Sequence, residues 1–360
     1  MNKSYSPSLL LGLGLVFSCF SLLMFPREIS ASIQQALATY ASTIFPSLFP
    51  FFILTSLVVD LGFSQWLGSL LAPVTTRFFH LNNICSGTLV LGFIGGYPSG
   101  AKAVVQLYQQ HQCSRPEAHC MLSFCNNCGP SFFIGIVGST IFHDTYIGIF
   151  LYFIHILSSL AVGFLFCSSH SDLLHQPAPT PFTFHAVSFP VALIHAVTGA
   201  FHSLLNICAF FLFFAVLIRI LICTGISPLL SSLLSTVFHL LPAQANSLLY
   251  GLLEITSGIV TLPNESTFLN LLLCSFLLAW GSWSVHIQTL SLLSDTDLSA
   301  APYLLGKLLH ALFCSVFCAA ALLPAFRPIL LLTLFLSGAV LFYRKKAVAK
   351  RRKVYYNNAN

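Results

Sequence analysis

Read as a pattern of apolar and polar positions, the chain is a series of long apolar runs separated by helix breakers and short polar stretches. The runs cover residues 9–25, 33–60, 63–72, 85–108, 118–142 and 146–167, then 187–206, 207–223, 228–241, 247–262, 267–285, 301–323 and 329–343. Most are long enough for a helix crossing a bilayer, which needs about 20 apolar residues. The pattern predicts an all-α polytopic membrane protein, a helical bundle of roughly 8–10 crossings.

Several runs are interrupted where a spanning helix should continue. Pro46 and Pro50 cut the second run, and 63–72 is too short to cross alone, so these two together predict a re-entrant hairpin. The strongest interruption is Gly92-Phe-Ile-Gly-Gly-Tyr-Pro-Ser-Gly-Ala-Lys102. Non-helical backbone at membrane depth must be satisfied by protein, water or a ligand, because lipid offers no hydrogen bonds. Broken helices of this kind mark substrate sites in secondary transporters.

Composition agrees with a membrane bundle. Of 360 residues, 56% are hydrophobic and 7% charged, with a mean hydropathy of +0.87. Soluble domains carry about 25% charged residues, so this chain has too little charge to cover a water-facing surface. The net charge of +6 is concentrated at the end, where Arg344, Lys345, Lys346, Lys350, Arg351, Arg352 and Lys353 follow the last apolar run. The positive-inside rule makes that tail, residues 344–360, cytoplasmic, and a nucleic-acid role for it is not favoured. Residues 1–30, with Lys3 ahead of the first run, read as a retained transmembrane anchor. Residues 168–185, polar and holding Pro177, Pro179 and Pro181, read as a linker between two halves, 31–167 and 186–343.

The halves resemble each other. Phe45-Pro-Ser-Leu-Phe-Pro50 matches Phe201-His-Ser-Leu-Leu-Asn206 at an offset of 156. The segment from Gly92 to Gly100 matches Gly251-Leu-Leu-Glu-Ile-Thr-Ser-Gly258 at 159, and Phe124-Cys-Asn-Asn-Cys128 matches Trp280-Gly-Ser-Trp-Ser284 at 156. Three matches in one order at nearly one offset predict internal, inverted repeats whose interrupted segments pair at a transport site.

The residue types at those interruptions set the candidate site. Gly95, Gly96, Pro98 and Ser99 free backbone amides ahead of a helix starting near Ala101, a nest suited to an anion, with Lys102 one turn inside to add charge. Tyr97 offers an aromatic face. Glu254, with Thr256 and Ser257, lies in an otherwise apolar segment. An ionisable group at that depth carries a coupling proton, binds a cation, pairs with Lys102 or holds broken backbone. Asn126 and Asn127 offer amides at another break, and Ser282, His286 and Gln288 stand at the equivalent place in the second half. His286 and Gln288 are two apart, so a regular helix splays them and an unwound backbone brings both to one cavity. Ser47, Ser203 and Asn206 are weaker candidates for hairpin tips.

The twelve cysteines do not read as a disulfide framework, since most sit inside apolar runs as small hydrophobes. Cys125-Asn-Asn-Cys128, near His111, Cys113, His119 and Cys120, has the spacing of a redox pair or half a metal site. There is no second pair to complete four ligands, so no metal and no cofactor is expected. No P-loop, dinucleotide fingerprint, HExxH or nucleophile elbow is present, so the chain is not expected to be an enzyme, and any transport is secondary or facilitated.

Together, Gly92 to Lys102, Cys125-Asn-Asn-Cys-Gly-Pro-Ser131, Gly251 to Gly258 and Ser284-Val-His-Ile-Gln288 resemble the sporulation integral membrane protein family YlbJ (SpoVV), which carries the nucleoside-recognition or Gate domain. The resemblance spans nearly the whole chain, with each half a Gate-like repeat. It implies kinship with concentrative nucleoside transporters and a role in endospore formation. There the protein would move dipicolinic acid from the mother cell across the outer forespore membrane. It implies a small anionic substrate; contact with membrane lipid follows from the apolar runs, and an oligomer is left open. The bulky Trp280-Gly-Ser-Trp283 departs from a lining segment. Alternatives are a nucleoside or other small-metabolite carrier, and a non-transporting sporulation scaffold recruiting partners through the basic tail.

Overall fold

A computed structural model describes residues 6–167 and 188–329. The expected linker and basic tail, and all but the first residue of the last apolar run, lie outside the described residues. Within them the chain is all-helical, and no strand occurs among the described residues. The helices are α1 (Ser6–Met24), α2 (Pro26–Thr39), α3 (Phe45–Asp60), α4 (Phe63–Phe79), α5 (Cys85–Ile94), α6 (Ser99–Gln109), α7 (Arg115–Phe124) and α8 (Thr145–Cys167). The second half holds α9 (Phe189–Cys223), α10 (Ile226–Phe238), α11 (Pro242–Leu253), α12 (Ile255–Thr261), α13 (Phe268–Trp280), α14 (Ser282–Leu293) and α15 (Ala301–Leu322).

Among the described residues, five helical stretches, at Pro26–Asp60, Thr145–Cys167, Phe189–Cys223, Phe268–Leu293 and Ala301–Leu322, are long and apolar enough to cross a membrane. A sixth arises if α10 and α11, bent by 113°, count as one span. Runs such as 85–108 and 118–142 are cut by breaks into shorter pieces, and residues 330–343 of the last run lie outside the described residues, so fewer long helices are counted than the 8–10 crossings expected. Large apolar side chains on the outside, among them Phe153, Ile194, Phe213 and Leu229, are more than half exposed. A soluble protein does not leave so much apolar surface in water, so this belt faces lipid.

The prolines of the second run do not break it. A π-helical turn at Tyr40–Ile44 joins α2 to α3, and Pro46 and Pro50 continue as helix from there to Asp60. An extra residue in the turn changes the carbonyl register just ahead of the proline rings. The hairpin therefore has different members from those predicted: α4 pairs with α5, where Gly68 meets the Gly87 backbone so closely that a Cβ would be only 2.6 Å from the Gly87 amide nitrogen. In the second half α10 and α11 make the corresponding hairpin.

The two halves share several backbone details. Helix α4 starts after Gly62 and ends at His80, both left-handed, while α10 starts after Gly225 and ends at His239, again both left-handed. Gly92 and Gly100 face each other across the first break, and Gly251 and Gly258 across the second. Helices α8 and α15 meet at the centre, with the His155 and His310 rings 4.4 Å apart. Around them, α15 packs against α7 and α13 as well.

The cysteines hold one departure. Cys120 on α7 and Cys167 at the end of α8 form a disulfide, with Cα atoms 5.2 Å apart. Their 47-residue separation hid a pairing that only the packing of α7 on α8 creates. Cys125 and Cys128 are buried free thiols, not joined to each other.

Candidate functional site

The two broken segments meet at the interface of the halves. Between α5 and α6 the chain unwinds over Gly95–Pro98, with Gly96 at φ +73° and a cis Tyr97–Pro98 bond. Gly92 and Gly100 let this break approach the Cys125 carbonyl, where any Cβ would collide. The second break is one residue long: Glu254 alone is extended between α11 and α12. Its carboxylate accepts from the amides of Thr256 (3.0 Å) and Ser257 (2.6 Å), an N-cap for the short α12.

Two adjoining spaces lie here. A cavity of about 70 Å³ is lined by Gly96, Tyr97, Gly129, Glu254, Thr256, Ser284 and Gln288 among others. It shares Phe52, Tyr97, Ile207 and Gln288 with a larger vestibule of about 570 Å³. The vestibule adds Asp60 from α3, Gly95, Pro98, Ser99, Lys102 and Gln106 around the first break, and His195, Ser203 and Asn206 from α9. Only the vestibule is large enough for a small metabolite, for which clefts of about 300–1,000 Å³ are usual. Ser257 lines a third cleft of about 240 Å³ with Gln35, Arg219 and Tyr250. The vestibule uses α3, the first break and the start of α9, while this cleft uses the end of α9, the second break and α2. The two clefts thus draw on counterpart elements of the two halves, and the small cavity shares walls with the vestibule.

The predicted residues separate accordingly. Gly96, Tyr97, Glu254, Thr256 and Gln288 line the small cavity, and Gly95, Pro98, Ser99 and Lys102 line the vestibule. Ser203 and Asn206 are vestibule walls rather than hairpin tips, while Ser47 lies on α3 within 3.5 Å of Thr140. Lys102 is exposed there and does not pair with Glu254, whose oxygens are engaged by α12. The amide nest is largely used internally. Helix α6 begins at Ser99, two residues earlier than expected; the Ser99 amide donates to Gly96, the Lys102 amide to Pro98, and the Ala101 amide to Asn126 Oδ1.

Helix α14 is regular, so His286 and Gln288 do splay apart and share no cavity. Gln288 faces the cavities, whereas His286 is buried with Nδ1 2.8 Å from the Tyr303 hydroxyl. Ser282, at φ +67°, is buried against Ser284. Asn126 is held behind the cavity by Thr289 (3.1 Å), and Asn127 donates to the Phe124 carbonyl. Between the two tryptophans that looked too bulky, Gly281 at φ +91° leaves room for the Tyr97 ring.

Sequence reasoning missed the most unusual residue. Lys307, in the middle of α15, is 1% exposed. Its Nζ donates to Tyr97 Oη (2.6 Å) and the Asn126 carbonyl (3.1 Å) and lies 3.3 Å from His310 Nδ1. It also sits 4.8 Å from the Tyr97 ring centroid. The signal was available, because an ionisable residue inside the apolar run 301–323 calls for the same attention as Glu254.

Comparisons with known proteins agree with this architecture. Residues 41–169 match the family described as Gate: Nucleoside recognition. The chain is 30% identical over 340 residues, covering 88% of itself and 83% of the relative, to the sporulation integral membrane protein YlbJ of Bacillus subtilis (strain 168). The chain belongs to the YlbJ family. No solved structure matches. Membership fits the lipid-facing belt described above, and the protein is a multi-pass membrane protein. The Gate match ends at residue 169, so it takes in the first break, α7 and α8, while the second break and Lys307 lie beyond it.

Proposed function

We propose that the protein is a secondary transporter for a small organic anion, working by alternating access in sporulation. In this reading it carries dipicolinic acid from the mother cell toward the forespore across the outer forespore membrane, with its basic tail in the cytoplasm and lipid around the bundle. The observation that carries the reading is the meeting of two equivalent interruptions at one small cavity that shares walls with a vestibule, while a second cleft draws on the counterpart elements. Such paired breaks between repeats are how transporters of this kind build a midplane site. Opening one cleft while closing the other would pass a ligand across without an energy-supplying nucleotide site. Dipicolinate, a flat aromatic dianion, suits a vestibule offering Lys102, polar side chains and the Tyr97 ring. Spores formed without this protein should contain little dipicolinate, and proteoliposomes containing it should take the compound up saturably. Normal spore dipicolinate would overturn the proposal.

The name of the matched family, nucleoside recognition, favours a second reading as a nucleoside carrier. Uridine that competes fully against labelled dipicolinate, or that is taken up when dipicolinate is not, would select it.

A further inference from the structure

Lys307 is a buried ammonium with no carboxylate partner among the described residues, and its hydrogen bonds to them can be fully assigned. The His155 carbonyl can only accept, so His310 Nε2, 3.0 Å away, carries the hydrogen. His310 Nδ1 is then a bare acceptor facing Nζ. The Tyr97 hydroxyl donates to the Leu278 carbonyl at 3.0 Å and so accepts from Lys307. The three ammonium hydrogens thus meet three neutral acceptors: Tyr97 Oη, the Asn126 carbonyl and His310 Nδ1. Its titratable neighbours are thiols, imidazoles and a phenol, namely Cys128, Cys314, His155, His286, His310 and Tyr97. Glu254 is occupied with α12, so the positive charge is solvated but not neutralised.

A charge held this way in a membrane interior is costly and is a functional marker. The repeat sharpens the point. Tyr152 on α8 and Lys307 on α15 stand at an offset of 155, the same offset that relates His155 to His310. Tyr152 merely donates to the Phe93 carbonyl at 2.9 Å. The fold therefore tolerates a neutral side chain at this position, and the charge is particular to the second half.

What separates Nζ from the cavities is Tyr97, which lines both. We infer that Lys307 is the counter-charge for an anionic group of the transported molecule, and that Tyr97 is its displaceable cover. A carboxylate oxygen replacing Tyr97 Oη would exchange a neutral acceptor for an ionised one, which makes the stronger hydrogen bond. The same displacement frees the Tyr97 hydroxyl from the Leu278 carbonyl, a direct tie between the first break and the second half. Binding an anion would then loosen the contact that alternating access must release. The inference deepens the transporter reading and rests on it.

The test is binding of dipicolinate, isophthalate, benzoate and uridine to the purified full-length protein in detergent, measured by calorimetry. Wild-type protein should bind the dianions more tightly than benzoate and uridine weakest. Lys307→Met should weaken dianion binding at least about 30-fold, with Lys307→Arg recovering part of it. Tyr97→Phe should tighten it several-fold by removing the competing acceptor. If dipicolinate binds wild type and Lys307→Met equally, the counter-charge is refuted while the transporter reading stands. Lys307-dependent binding of isophthalate without dipicolinate would keep the counter-charge and reject the named substrate, and binding of uridine alone would reject both. Should Lys307→Met not fold, equal wild-type affinity for dianions and uridine, or an unchanged affinity in Tyr97→Phe, overturns the inference by itself.

Discussion

The two breaks do the same architectural job by opposite means. The second is self-contained: Glu254 departs from helical geometry for one residue, and its own carboxylate satisfies the amides that follow. The first is held from outside. Gly92 and Gly100, on either side of its four non-helical residues, pack on the Cys125 carbonyl, Gly96 lies against Gly129, and Tyr97 reaches across to the Leu278 carbonyl and Lys307. A self-capped break can move as a rigid unit with its own half. A cross-tethered break is tied to both halves and moves only when the tether lets go. The asymmetry teaches that sequence repetition sets where helices break, while individual side chains decide which break is the moving part.

If the first break depends on outside backbone and the second does not, added bulk should separate them most sharply. A Cβ at Gly100 would collide with the Cys125 carbonyl, main chain of a third helix that cannot step aside. At Gly251 the new methyl would meet only the flexible end of Leu277, 2.6 Å from its nearest atom. Gly100→Ala should therefore cost about 3 kcal/mol, the upper end of overpacking losses. Gly251→Ala should stay within about 1 kcal/mol of wild type, because the helix gained by replacing glycine offsets the crowding. Thermal unfolding of the detergent-purified variants measures both. Equal losses would mean the two breaks are equally enclosed.

The hydrogen bonds give a smaller contrast. Tyr97→Phe removes one bond to a carbonyl and one from an ammonium, and is expected to cost about 2 kcal/mol. Glu254→Gln keeps one acceptor and presents an amide to the other backbone N–H, costing about 1 kcal/mol as a weakened cap. Protease sensitivity of the α13–α14 connection should rise in Tyr97→Phe and remain unchanged in Glu254→Gln, because only the first variant unties the halves. The reverse order would make Glu254 the tether.

Much of this contrast was legible before any coordinates. Glycine and proline at 95–100 and the ionisable Glu254 marked the breaks directly, because those residue types are avoided in helices that lipid surrounds. The matching offsets foretold that the breaks belong together. What was hidden is of another kind. Pro46 and Pro50 looked equivalent to Pro98, yet a single π-helical turn upstream absorbs them, and nothing local in composition distinguishes the cases. The Cys120–Cys167 pairing and the Tyr97–Lys307 contact, 210 residues apart, depend on long-range packing that no window of sequence contains. Lys307 itself was legible but overshadowed by Lys102, which stands beside the motif and faces the vestibule.

Helix α6 carries a second tie to the other half at its opposite end, and this one lies in the open. The Tyr108 hydroxyl donates to Asp297 at 2.7 Å, and Arg115 donates to the Asp297 carbonyl at 2.8 Å with its Nε 3.7 Å from the carboxylate. Tyr108 chiefly, with help from Arg115, holds the Asp297 carboxyl below its usual range. A depressed carboxyl contributes stability that is fully present above its unfolded value and disappears as pH falls through the lowered one. Tyr108→Phe should therefore match wild type in the sense of that slope but show a shallower loss of stability on acidification below about pH 4, the unfolded carboxylate range. At neutral pH its effect on melting temperature should be the smallest of the series, since water and salt compete for exposed charges. Added salt should shrink the difference further while leaving the Tyr97→Phe loss intact, because the Tyr97–Lys307 contact is buried and screened far less than an exposed one. A salt-sensitive Tyr97→Phe loss would place the inner tether in contact with water and erase the distinction between the two ends of α6.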